Sequence, residues 1–252
     1  MNSTLIGLEL KRYCRDYVGL FFIAVLPAFI YVVFGAAQTF GKEDIGRGNV
    51  TLYVMISMAV YGAVTATVSV GGSAAVERMQ GWGRQLGLTP LRDGAYVATK
   101  AVLAVVIACI PITLIYVIGI GTGAKGDAWV WFATAGITLF GASLFALYGL
   151  VFGLAFKSES AVGAASGSLV VFAFLGNIFV PLSGTMLTIA KFTPLYGIVS
   201  LARYPLTEGY SAGMDGTLSH EALWVPLANV GVWTLILALL TVYLVRRGRD
   251  RQ

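Results

Sequence analysis

The chain has 252 residues, 58% hydrophobic and only 12% charged, with a mean hydropathy of +0.82 and a formal net charge of +5. A soluble domain carries about twice that charged fraction, so the composition excludes a water-soluble globule and predicts an integral membrane protein. The small positive charge calls for no nucleic acid, because basic residues at the edges of membrane spans account for it.

Ser3–Tyr17 is predicted as an amphipathic helix. At helical spacing Ile6, Leu10, Tyr13, Cys14 and Tyr17 share one face, and Glu9, Lys11, Arg12, Arg15 and Asp16 share the other. Leu5 and Leu8 break the pattern. Such a helix lies in the headgroup layer with its basic side toward anionic lipid; the alternative is a plain extension of the first span. Span 1, about Val18–Ala37, contains Pro27, which membrane helices tolerate as a kink. Its length and the lack of a small-residue cleavage pattern argue against a removable signal. Gln38–Asn49 is a polar loop, and span 2 follows at about Val50–Val76. Span 3 is about Tyr96–Gly121 and span 4 about Ala128–Phe156, with Trp129 and Trp131 near one interface. Span 5 is about Ala161–Pro181.

Leu182–Leu201 is apolar enough to suggest another span, but Lys191 sits in its middle and Pro194 follows. A lysine at mid-bilayer costs roughly 3 kcal/mol on insertion scales. The segment is therefore expected to dip into the outer leaflet and return, with Arg203–Leu223 as an outer loop. Span 6 is about Trp224–Val245. Charge placement favours this layout: twelve of the 17 basic residues then fall on the inner side, as the positive-inside rule requires, and both termini are cytoplasmic. Chain 1–252 is thus expected to be one all-α polytopic domain of six transmembrane helices. Three pairs of small residues, Gly119/Gly123, Gly149/Gly153 and Gly163/Gly167, would let helices approach closely within it.

Reactive groups are scarce. The proposed span interiors hold no Asp, Glu, Lys, Arg or His, whereas ion-coupled pumps need ionisable groups at depth. His220, the one histidine, falls in a loop, and no HExxH occurs. Cys14 and Cys109 lie far apart and suggest neither a disulfide framework nor a metal site. Gly35 and Gly41-Lys42 are one residue too far apart for a phosphate-binding Walker loop, and Glu43 stands where Ser or Thr is required. An energy source would have to come from a partner.

The place for a partner is Glu77–Lys100, the longest polar interruption in the chain. Met79, Trp82 and Leu86 fall on one ridge of a short helix that Pro90 would end. Such a ridge can press into a groove on a cytosolic domain, with Arg78 and Arg84 at the rim. Glu77-Arg78 at the start, Gly81-Trp82-Gly83-Arg84-Gln85-Leu86 at the centre and Leu88-Thr89-Pro90-Leu91 at the end resemble the membrane subunit of ABC-2 type exporters, and Lys100 fits a lysine common at the start of their span 3. The segment departs from that family at Met79, where a second acidic residue is frequent, and at Trp82-Gly83.

The resemblance implies an N-terminal amphipathic interfacial helix, a cytosolic coupling helix between spans 2 and 3, and a re-entrant segment after span 5. It assigns ATPase coupling to Glu77, Arg78, Met79, Trp82, Arg84, Leu86, Thr89 and Pro90. It implies two copies of an ABC ATPase subunit as partners, together with a second membrane subunit, identical or homologous, in the plasma membrane. This chain would bind no cofactor itself, and ATP and Mg2+ would belong to the partner ATPase. By the same analogy spans 1, 2 and 5 line a substrate path, where this chain offers Phe21, Phe22, Phe29 and Tyr31, then Tyr53 and Tyr61, then Phe172, Phe174 and Phe179. An aromatic path without buried charge suits a hydrophobic or amphipathic cargo: a drug, a lipid-like molecule or a small peptide. Two alternatives stand beside it. A polysaccharide or glycolipid exporter would use basic residues near the inner gate, for which Arg12 and Arg15 are the candidates, although lipid headgroups explain them equally. A membrane anchor or sensor would bind the partner without transport. An enzyme is disfavoured for lack of any reactive constellation.

Overall fold

Small residues crowd the stretch Val50–Glu77, and that helix becomes the axis of the molecule. The structure, a computed structural model, describes residues 3–77, 93–156, 160–213 and 218–249. In chain order the helices are α1 (Ser3–Arg15), α2 (Tyr17–Ala36), α3 (Val50–Glu77), α4 (Asp93–Gly121), α5 (Ala128–Phe156), α6 (Ser160–Leu175), α7 (Gly184–Ala190), α8 (Pro194–Thr207) and α9 (Trp224–Arg249). Two short antiparallel hairpins lie in the loops: β1 (Asp44–Ile45) with β2 (Gly48–Asn49), and β3 (Tyr210–Ala212) with β4 (Leu218–His220).

Helix α3 packs against α2, α4, both halves of α5, α6 and α8. It can do so because its neighbours come very close. A methyl group on Gly149 of α5 would collide with the Val68 carbonyl, and one on Gly153 would meet Ala75 at 2.6 Å. Gly119 likewise abuts Met55, but Gly123, Gly163 and Gly167 have nothing within 4 Å, so of the three expected glycine pairs Gly149/Gly153 alone makes a close seam with both members. Thr67 ties the two helices together, donating its hydroxyl to the Ala142 carbonyl at 2.6 Å. That carbonyl lies just before Phe145, where α5 breaks into two segments.

Proline explains the shape of α2. Pro27 has no N–H to donate, and the preceding turn widens to π geometry over Phe21–Val25, with Leu26 N–H reaching back to the Phe21 carbonyl. A second π turn covers Val32–Ala36. Among the described residues five helices are long and apolar enough to cross a bilayer: α2, α3, α4 from Thr99, α5, and α9 as far as Arg247. Helix α6, at 16 residues, is shorter than the ~20 of a full crossing. Its expected extension to Pro181 is corrected here. The helix stops at Leu175, and Asn177 turns the chain with φ of 62°.

Helices α7 and α8 are bent by 100° across a short break, a geometry shared by a broken span and by a segment that enters and returns. The outer loop expected from Arg203 does not begin there. Helix α8 runs on to Thr207, and Arg203 is buried on it, 5% exposed. Arg203 lies outside the proposed spans, whose interiors are read as free of charge, and it adds a buried charge to the bundle from α8. An arginine can be buried there because α3 supplies Ser57 and Tyr53 as polar and aromatic partners.

Asn49 organises the hairpin end of the bundle. Its side-chain carbonyl accepts from Leu52 N and Lys125 N, both at 3.0 Å, and its amide donates to Gly123 O at 2.9 Å. Arg47 adds an ion pair to Glu208 at 2.6 Å and a longer one to Asp127 at 3.6 Å. At the other end α1 lies against the start of α4 and the end of α3.

Candidate functional site

The segment singled out as a docking element is flanked by Glu77 and Lys100, and these two residues meet. Glu77 ends α3 and Lys100 lies early in α4, so the two helices bring back together chain positions separated by the whole segment. Lys100 Nζ lies 2.7 Å from Glu77 Oε2 and 2.9 Å from Glu9 Oε1 on α1. Glu77 Oε1 in turn accepts from Arg12 Nη1 at 2.8 Å. The result is an alternating chain of carboxylate, ammonium, carboxylate and guanidinium that joins three helices.

Its burial is uneven. Glu9, Glu77 and Lys100 are all less than 10% exposed, while the Arg12 side chain is 65% exposed. Among the described residues two carboxylates meet two cations, and pairing of this kind is the condition under which buried charges are tolerated. Removing Lys100 would take away the ammonium that Glu9 and Glu77 share. Beside the cluster sits Tyr13. Burial, reinforced by the neighbouring Glu77 and Glu9 carboxylates, pushes its phenol up to about 12, so it stays a neutral hydroxyl.

The arrangement changes the reading of α1. Helix Ser3–Arg15 forms as expected, with Leu10 and Tyr13 packed inward and Lys11, Arg12 and Arg15 exposed, but three residues depart from the faces that hydropathy assigned. Glu9, placed on the polar face, turns inward to Lys100, whereas Cys14 and Tyr17, placed on the apolar face, are exposed. Pairing explains the swap, because a carboxylate with a buried ammonium waiting for it gains more from contact than from water. A signal was available in the sequence. Glu9, Arg12 and Tyr13 share one helical face at i, i+3 and i+4, and Lys100 had already been noted as a charge at a span's start.

Of the residues assigned to coupling, Glu77 is in this cluster. Arg78, Met79, Trp82, Arg84, Leu86, Thr89 and Pro90 lie outside the described residues. The residues proposed for a substrate path do not form one surface. Phe21, Phe22 and Phe29 are exposed on α2, whereas Tyr31 is fully buried and shares a 2.7 Å hydrogen bond with Thr122. Tyr61, Phe179 and Phe174 do come together, with successive ring centroids 5.3 and 5.0 Å apart. Phe172 instead packs edge-on against Tyr148. Tyr53 carries the Arg203 guanidinium 4.1 Å above its ring. Both cysteines are free, and no group of three or more metal-ligating side chains occurs among the described residues.

The described residues thus form an apolar bundle whose helices flanking the polar segment are tied to α1 by the clasp. No protein-family model matches the chain. It is similar to the "Putative transport permease YvfS" of Bacillus subtilis (strain 168), with 28% identity over 193 residues, which cover 75% of this chain and 78% of that one. The likeness to the membrane subunits of ABC-2 type exporters, carried by the polar segment after α3, is thus joined by a likeness over most of the chain to a transport permease.

Proposed function

We propose that this chain is the membrane-spanning permease subunit of an ATP-driven exporter. A separate ATPase would dock on residues 78–92 and move a hydrophobic or amphipathic cargo outward. The observation that carries the reading is the clasp of Glu9, Arg12, Glu77 and Lys100. It ties both helices that flank the docking segment to α1, so a push on that segment is delivered to three helices as one body. Without such a tie the segment would yield locally and the work would be dissipated. The likeness to a transport permease supports the same reading from an independent side.

In this scheme ATP-driven closure of the ATPase pair shifts two such permease subunits between two states. The shift is limited by the difference in nucleotide affinity between those states. Both termini and the docking segment face the cytoplasm of a plasma membrane. Tyr61, Phe174 and Phe179, which cluster where α3 meets the turn after α6, form the aromatic part of the cargo route.

The test is reconstitution of the chain with the ATPase encoded beside it. Trp82→Ala and Leu86→Ala are expected to leave basal ATP hydrolysis in place and to reduce cargo movement at least about tenfold, since each removes an anchor worth more than ~1.4 kcal/mol at an interface. Cargo movement unchanged in both variants sinks the docking assignment. Partner binding without cargo movement under any condition would favour the anchor reading instead. Labelling of a cysteine at position 82 by an impermeant reagent in intact cells would overturn the orientation.

A further inference from the structure

At the end of the bundle opposite the clasp, a cleft of about 30 Å³ is lined by Tyr53, Lys191, Tyr196, Ser200, Arg203 and Glu221, among others. Among the described residues its charges do not balance. Lys191 Nζ lies 2.9 Å from Glu221 Oε1. Glu221 Oε2 accepts from Tyr196 Oη at 3.1 Å and from Ser200 Oγ at 3.0 Å. Glu221, the one carboxylate among the described lining residues, is thus ion-paired through Oε1 and hydrogen-bonded through Oε2. Arg203, 5% exposed, makes no ion pair among the described residues. It donates from Nε and Nη2 to Ser57 Oγ at 2.9 and 2.6 Å, and from Nη1 to the Asn177 carbonyl at 2.8 Å, all neutral oxygens. A guanidinium has five N–H groups, so two are left over.

A permanently charged group so deeply buried is costly without a counter-anion. In the clasp the described buried charges have opposite partners, so the excess of one positive charge among the described residues of the cleft stands out. Tyr53 under the guanidinium and Ser57 beside it hold the planar group in one orientation, which is what recognition of a flat or tetrahedral oxyanion needs. The space admits one small group and nothing the size of a drug. An apolar surface adjoins it. Helix α7 contributes Leu187, and Lys191 just past its end, to the cleft, while Met186, Ile189 and Phe192 on the same stretch are 58%, 48% and 76% exposed.

We propose that this cleft is a binding site for the anionic headgroup, a carboxylate or phosphate, of a membrane amphiphile whose chain lies along α7. Arg203 binds the oxyanion, and Lys191 keeps Glu221 from neutralising it. The site is independent of the ATPase reading, and its test needs no nucleotide.

The experiment is titration of the detergent-solubilised full chain with lysophosphatidate or oleate, read by native mass spectrometry. Monoacylglycerol and inorganic phosphate serve as comparators. The expected result is one bound anionic amphiphile, with the neutral lipid at least about tenfold weaker and Arg203→Gln about 30-fold weaker, the loss expected for a charged hydrogen bond. Lys191→Gln is the safer variant, because that side chain is 37% exposed. It too should weaken binding, by freeing Glu221 to pair with Arg203. If Arg203→Gln does not fold, Lys191→Gln decides alone. Unchanged affinity in the folded variants, or equal binding of the neutral lipid, overturns the proposal. Inorganic phosphate bound as tightly as lysophosphatidate, and lost in Lys191→Gln, overturns the amphiphile and leaves a site for a soluble anion.

Discussion

Helices α3 and α9 are of similar length and both are strongly apolar, yet they occupy opposite positions. In its most apolar 18-residue window α3 is 89% buried, and α9 is 6% buried. Lipid tails are as apolar as leucine, so the hydrophobic effect gives a membrane helix no reason to choose the inside. What separates the two is size. Helix α3 carries Ala59, Gly62, Ala63, Ala66, Gly71 and Gly72, all buried, and lets six neighbouring elements approach. Helix α9 carries Leu235, Leu239, Val242 and Tyr243, all exposed. Small residues at its contacts, rather than hydropathy, let neighbours close around α3.

The strongest way to break this contrast is to add volume where α3 meets α5. Gly149→Leu would drive a side chain into the Val68 carbonyl and the Gly72 amide, both backbone groups that cannot step aside. Overpacking a tight core costs roughly 1–3 kcal/mol where side chains can shift, and more where backbone blocks them. Little or no monodisperse protein should be recovered by size-exclusion chromatography. Normal recovery would show that α3 is not held by close approach.

The next effect concerns the charged end of the same helix. Lys100→Gln removes the ammonium shared by Glu9 and Glu77 while only Glu77 keeps Arg12, and loss of a buried ion-pair partner should cost roughly 3–5 kcal/mol. Restoring neutrality by adding Glu77→Gln should recover part of that loss, because contacting residues are not additive. Thermal unfolding in detergent of the two singles and the double gives the coupling directly. Additive losses would mean that the clasp is not one unit.

These cases also show what could be read in the sequence. The apolar runs, the polar segment at Glu77–Lys100 and the break around Lys191–Pro194 were legible, because each rests on local composition. The pairing of Glu9 with Lys100 and of Arg203 with Ser57 was not, since each joins positions more than ninety residues apart. Hydropathy assigned Glu9 and Arg203 to water because it scores a charge without its partner. Span 5 was drawn too long for a related reason: Gly176 to Pro181 is apolar enough to extend a helix, and only the left-handed turn at Asn177 ends it.

A smaller effect is expected within the seam itself. Thr67→Val keeps the volume and removes a hydroxyl that donates to Ala142 O, leaving that carbonyl without it. Interhelical hydrogen bonds of this kind are worth about 1 kcal/mol. A drop of a few degrees in unfolding temperature is the expected reading, and no change would mean that glycine packing alone sets the α3–α5 distance.

The smallest effect should come from α9. Leu239→Ala removes a large side chain that is 61% exposed on the isolated chain. If that face meets only lipid, truncation exchanges protein–lipid contact for lipid–lipid contact, and the change in unfolding temperature should be near zero, within ~0.5 kcal/mol. The same substitution at a buried leucine of α3, Leu52→Ala, should cost ~2–5 kcal/mol, because the space left behind stays empty. A clear loss at Leu239 that depends on protein concentration would place a second subunit, and not lipid, against α9. The pair of measurements therefore decides whether the rim of this bundle is a solvent boundary or an interface.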